Sequence, residues 1–223
     1  MSQPSDADRV RDYFSRSAVS FDSLYAEKEM SPFWRRVNRN FRRDIYERFL
    51  RTIEHVRSNH ISSVLDVGCG SGRYAIALHE NDVQRITGID IAPDMIELFE
   101  NQVAPLAGQG TTFEAICGDF MIYQPGEPFQ LVVAMGFFDY IQSPDAVLAK
   151  MSSHATHSVI ASFPSKSFFR TPIRQVRYAI KKCPVYFYDR EQIAALGRAA
   201  GFTSQTIDKI NGAGMDYVAT FYK

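Results

Sequence analysis

Gly68, Gly70 and Gly72 fall within five residues, directly after the apolar run Val64-Leu65-Asp66-Val67. Tyr74, Ala75, Ala77 and Leu78 follow at helical spacing, so the local order is strand, glycine turn, helix. Glycines let a backbone turn tightly and approach a ligand, and a helix N-terminus offers unpaired N–H groups. The spacing narrows the ligand. A dinucleotide fingerprint is Gly-x-Gly-x-x-Gly; here the third glycine comes one residue early and Arg73 stands in its place. A phosphate loop ends in Gly-Lys-Ser/Thr, which is absent. A second acid, Asp90, ends the run Arg85 to Asp90, about 20 residues after the turn, where a doubly wound fold brings a carboxylate to a ribose. Without a ligand, these would be a tight βα turn and a solvated strand-end acid.

The elements that position these residues alternate. Strands are expected at Val64–Val67, Arg85–Asp90, Thr112–Cys117, Phe129–Met135 and Ser158–Phe163, each followed by a helix or a loop. Pro93 with Asp94, and Ser143 with Pro144, have helix-start chemistry. Asp189 caps a last helix that Gly201 ends. Thr203–Ile210 and Asp216–Tyr222 read as a closing hairpin around Asn211-Gly212-Ala213-Gly214. Ahead of the core, Phe33 to about Arg57 is helical, with Phe41, Ile45, Phe49 and Ile53 on one stripe and the arginines on the remaining faces, mostly in water. This pattern is α/β with a mainly parallel sheet. Residues 1–60 read as an N-terminal helical cap segment and 61–223 as the core, with an insertion at 164–188, in one compact domain.

The chain has 223 residues and a formal net charge of zero. That length suffices for one large domain with a sizeable core. No apolar run could span a bilayer, and the start has no signal-peptide core. Cys69, Cys117 and Cys183 are odd in number and lack metal spacing, which fits a reducing cytoplasm. The neutral total hides two basic segments: seven arginines between Ser31 and Arg51, and six cations without an acid between Phe163 and Tyr188.

Val64-Leu65-Asp66-Val67-Gly68-Cys69-Gly70-Ser71-Gly72 resembles the S-adenosylmethionine loop of class I methyltransferases, whose usual form is V-L-D-x-G-x-G-x-G. The head segment and core look closest to the O-methyltransferases of ubiquinone biosynthesis and of magnesium-protoporphyrin. The resemblance implies a Rossmann-like seven-stranded sheet with an antiparallel last strand, an N-terminal lid and a lid insertion. It implies cofactor contacts at Asp66, Gly68, Cys69, Gly70, Asp90, Ile91, Met95 and Met135, with Asp119 and Phe120 near the adenine. Asp119 could equally cap a turn. In the ubiquinone family an arginine before the core holds the cofactor's carboxylate. The run Val37-Asn38…Arg42-Arg43-Asp44 puts Arg42 there, or Arg43 if the register slips by one. A guanidinium suits a planar anion because it binds both oxygens.

Transfer itself asks mainly for alignment, because a sulfonium already activates its methyl. A hydroxyl nucleophile would still benefit from a base; Tyr13, Tyr25 and Asp139 are the candidates. Phe14, Phe138, Asp139 and Tyr140 are expected at the acceptor. Arg170, Arg174 and Arg177 lie four and three apart, so a helix would turn them to one side, toward an anionic substrate or simply toward water. His154 and His157 lie around the start of strand five, the far end from the site, and read as structural. The expected partner is a small molecule, aromatic or amphiphilic and anionic, with oxygen as the likeliest nucleophile class and no metal. Peripheral membrane contact is compatible with the basic segments. Two other readings stay open: an RNA methyltransferase, since basic segments bind phosphate, and a cofactor-binding partner subunit without catalysis. DNA is not expected: Met135-Gly136-Phe137-Phe138 stands where base-amine enzymes often carry Asn/Asp-Pro-Pro-Tyr/Phe.

Overall fold

The computed structural model describes residues 8–13, 15, 32–165, 185–210 and 216–223, with side chains in the first long helix from Asp44 onward. Seven strands form one sheet: β1 (Ser63–Val67), β2 (Arg85–Asp90), β3 (Thr112–Cys117), β4 (Phe129–Ala134), β5 (Ala155–Phe163), β6 (Ser204–Lys209) and β7 (Tyr217–Tyr222). Their spatial order is β3-β2-β1-β4-β5-β7-β6. All neighbours pair in parallel except β7, which runs antiparallel to both β5 and β6. The helices are α1 (Pro32–Ser58), α2 (Arg73–His79), α3 (Pro93–Val103), α4 (Pro144–His154) and α5 (Arg190–Ala199).

The central strands read as continuous apolar runs because both of their faces are covered. Alternate residues serve opposite layers. Leu65, Val67, Val132, Ala134, Val159 and Ala161 meet α4 and α5 through Leu148, Met151 and Ile193. Val64, Leu131, Val133 and Ile160 meet α1, α2 and α3 through Ile53, Leu78 and Phe99. The expected start of α3 is present, with Pro93 in its first turn and Asp94 beside it. Asp189 and Gln192 form a full capping box on α5. Ser143 precedes α4, but its side chain makes no capping bond.

One expectation about α1 needs correction. Its buried side is not only apolar: Asp44, Thr52 and His55 are buried, and Arg48 faces inward with them. His55 Nε2 shares a 2.8 Å hydrogen bond with Ser158 Oγ, which also lies 3.0 Å from His157 Nδ1. This cluster sits near the start of β5, the end of the sheet remote from the glycine turn, where His157 was expected. Burial first, then the neighbouring His157, lowers His55 to about 4.

Candidate functional site

The chain leaves β1 for β2 on one side and reaches β4 on the other, so a crevice opens at the carboxyl ends of β1 and β4. The glycine turn borders it. Gly68 and Gly70 take φ of 75° and 53°, a left-handed backbone that other residues rarely adopt. Gly68 N and Cys69 N both donate to Ile89 O, at 2.8 and 3.2 Å. Gly70 N donates to Asp90 Oδ2 at 3.0 Å, and Ala92 N donates to Oδ1 at 2.9 Å. Both Asp90 oxygens thus have a backbone donor. A carboxylate offers about four lone-pair positions, so ribose hydroxyls can still be accepted. A Cβ on Gly68 would stand 2.8 Å from the Phe137 ring, so the turn is packed against the residues that follow β4.

Asp66 is buried at the end of β1, and its Oδ2 has no hydrogen-bond partner. Burial, then the neighbouring Asp90, pushes its carboxyl up to about 7. Burial also raises Asp90, opposed by the backbone bonds from Ala92, Gly70 and Ile91. Two carboxyls drawn together away from water favour a cationic group beside them. These acceptors could take a ligand that brings hydroxyl donors and a positive charge. Cys69 is buried, and its thiol is pushed well up by burial and by the two acids, so it packs and does not act as a nucleophile.

Beyond Asp90 lies a cleft of about 530 Å³ lined by Ile91, Gly118, Asp119 and Ile122, with Asp8 and Arg11 also on its wall. The head of the chain therefore reaches the site. Asp119 Oδ1 accepts from Met121 N at 2.8 Å, so it does cap a turn while also facing the cleft. Met95 is buried under Ala92. Phe120 is buried edge-on to His154, with ring centres 5.8 Å apart, so its ring belongs to the core.

On the other side, Met135 and Gly136 follow β4, and Gly136 N donates to Ser162 Oγ at 2.8 Å. Phe138 was expected at the acceptor. It is fully buried and stacks on Phe163 at 4.4 Å, so it is a packing residue. Asp139 is buried, and Tyr140 is half-buried. The end of the 164–188 insertion, expected as a lid, returns to this junction. Tyr186 N donates to Asp139 O at 2.9 Å, and Tyr188 Oη donates to Ile141 O at 3.1 Å. Burial, then Asp139 and Tyr186, raises the Tyr188 hydroxyl. The signal was the aromatic run Tyr186-Phe187-Tyr188 at the end of the basic insertion.

Tyr13 lies half-buried in the helical residues 8–13. Phe14, Tyr25, Arg170, Arg174 and Arg177 lie outside the described residues, as do the side chains of Arg42 and Arg43. Among the described residues no group of three His, Cys, Asp or Glu could hold a metal ion. Nor is any described helix long and apolar enough to cross a membrane.

Against known families, residues 64–157 match the methyltransferase domain. Against curated proteins the chain finds no match. Among solved structures it resembles magnesium protoporphyrin IX methyltransferase from Synechocystis PCC 6803 with bound SAH. The two are 17% identical over 98% of this chain and 100% of that one, with a TM-score of 0.78. The same enzyme with bound SAM gives 16% identity, coverage of 100% and 99%, and a TM-score of 0.77. A SAM-dependent methyltransferase from Archaeoglobus fulgidus is 17% identical over 81% of this chain and 94% of that one, with a TM-score of 0.62. These likenesses establish the class I methyltransferase fold. Residues 64–157 are thus a methyltransferase domain, and the fold around them is that of a methyltransferase solved with SAM and with SAH bound.

Proposed function

We propose that the chain methylates an oxygen on a small aromatic or amphiphilic anionic metabolite in the cytoplasm. The observation that carries the cofactor half is the turn itself. Gly70 is tied to Asp90, and beside them Asp66 keeps a buried carboxyl oxygen with no protein partner. Asp90 would accept from the ribose, Asp66 would face the positive aminoacyl end, and Gly68 and Cys69 would lie along it. Ile91, Met95, Asp119 and the backbone of Phe120 would border the adenine, and Arg42 would take the carboxylate. S-adenosylmethionine brings an already electrophilic methyl. The chain's own task is to align a nucleophile, exclude water and accept a proton. Met135, Gly136 and Tyr140 border the place for alignment. Asp139 stands at that junction and would take the proton, with Tyr13 and Tyr25 as the other candidates. Residues 1–60 would act as a cap and 164–188 as a lid insertion on the 61–223 core.

The acceptor half is supported by the tyrosines around Asp139, by the basic insertion, and by full-length likeness to an enzyme of magnesium protoporphyrin IX. The experiment is incubation with methyl-labelled cofactor and magnesium protoporphyrin IX, hydroquinones, bulk RNA and a cell extract, read by mass spectrometry. Label on a small anionic molecule, lost in Asp139→Asn, is expected. Label in RNA, or cofactor binding with no label anywhere, would replace this reading with one of its two rivals.

A further inference from the structure

Asp216 lies just before β7, at the sheet edge where the crevice opens, and is only 2% exposed. Three elements converge on it. Arg48 Nη2, from α1, donates to Oδ2. Ser165 N, just past β5, donates to Oδ1 at 3.4 Å. Ile210 N, from the end of β6, donates to the backbone carbonyl at 2.8 Å. Arg48 also lies against the transfer junction: a Cβ on Gly136 would stand 3.7 Å from its Nη1. Ser165 in turn bridges to Tyr188, whose amide donates to Pro164 O at 2.8 Å. One largely buried ion pair therefore joins α1 to the neck of the basic insertion, and its guanidinium lies against the residues after β4.

Stability alone explains this poorly. Two charges taken out of water recover little over a well-packed apolar pair, so a buried ion pair is weak evidence of a stabilising role. Its place at the crevice is informative. We propose that the Arg48–Asp216 pair is a positioning device: it holds α1 and the insertion neck in fixed register with Gly136 and so sets where the acceptor lies relative to the methyl. This rests on the methyltransferase reading above. Arg48 is a positioning residue and acts through Gly136 and Ser165. It leaves the Gly68–Asp90 cofactor turn untouched.

The test uses the full chain with Arg48→Met, Arg48→Lys, Asp216→Asn and the charge swap Arg48→Asp with Asp216→Arg. Amide exchange read by mass spectrometry should rise about tenfold or more at 136–141 and 185–188 in Arg48→Met. Exchange at 66–72 and S-adenosylhomocysteine affinity should stay within about twofold. On an acceptor, kcat should fall while the cofactor KM holds, and Arg48→Lys should restore most of it. Unchanged exchange at both segments, or an equal rise throughout the sheet, would overturn the proposal. Should Arg48→Met fail to fold, the near-isosteric Asp216→Asn carries the same comparison. Wild-type protein that binds no S-adenosylhomocysteine would instead defeat the functional reading, and the exchange measurement would still decide the role of the pair.

Discussion

The amide of Gly70 donates to Asp90 Oδ2 at 3.0 Å, so the glycine turn is tied to the acid that ends β2. Asp90→Ala should both remove an acceptor and loosen the turn. Cofactor affinity by calorimetry should drop about 30-fold or more, the equivalent of roughly 2 kcal/mol of charged hydrogen bonding. Asp90→Asn keeps one acceptor oxygen and should lose less. Undiminished affinity in Asp90→Ala would remove the ribose assignment, and nicotinamide dinucleotides should not compete.

Asp66 gives the site a pH dependence. Its carboxyl titrates at about 7 in the ligand-free protein. A cation beside it favours the ionised form, so ligand binding should lower that value and release a proton. Affinity should therefore weaken as pH falls from about 7 to 5 and level off just above 7. Calorimetry in two buffers of different ionisation enthalpy counts the protons. The slope should vanish in Asp66→Asn. The stability sign runs the other way: a raised carboxyl stabilises the ligand-free fold at low pH, and that contribution is lost as pH rises from 3.8 through about 7. Affinity flat between pH 5 and 8 in the wild type would falsify the pairing of Asp66 with a cation.

His55 is lowered from 6.5 to about 4, so the folded protein holds it neutral while the unfolded chain protonates it. Its contribution is full above pH 6.5 and is lost as pH falls toward 4. The Tm advantage of wild type over His55→Gln should shrink across that window. Thermal scans at pH 7 and 4.5 check this; an advantage independent of pH would mean that His55 contributes through packing and Ser158 alone.

Arg42 can be tested by ligand difference. If it binds the carboxylate, Arg42→Ala should weaken S-adenosylhomocysteine about tenfold and 5′-methylthioadenosine, which lacks that group, hardly at all. Equal losses argue against it, and the same comparison on Arg43 fixes the register.

The central strands β1, β2 and β4 were legible because they are buried apolar runs punctuated by glycine and proline. Thr112–Cys117 also has its expected bounds, although this edge strand buries no residue fully. The glycine turn was legible because its geometry is local: Asp66, Gly68 and Gly70 are neighbours in sequence. What was not legible depends on distant partners. Phe138 looks like a substrate wall in Gly136-Phe137-Phe138-Asp139, but only the docked β5 shows that Phe163 covers it. Arg48 is one of seven arginines on or near a helix, and helical spacing does not reveal that Asp216 waits on another strand. Tyr186 reaches Asp139 only through the return of a long insertion.

The Arg48–Asp216 contact spans 168 positions of chain. A ribosome releases α1 early and β7 late, so the helix leaves the tunnel long before its counter-charge exists. Contacts of such separation close slowly because the intervening loop's entropy is lost first. The Arg48–Asp216 pair thus closes only once β7 has been made, and a polypeptide stopped before it can own a complete glycine turn without that pair. Pulse-labelled exchange during refolding should find protection at Arg48 no earlier than at Val218; earlier protection would show that the helix docks without β7.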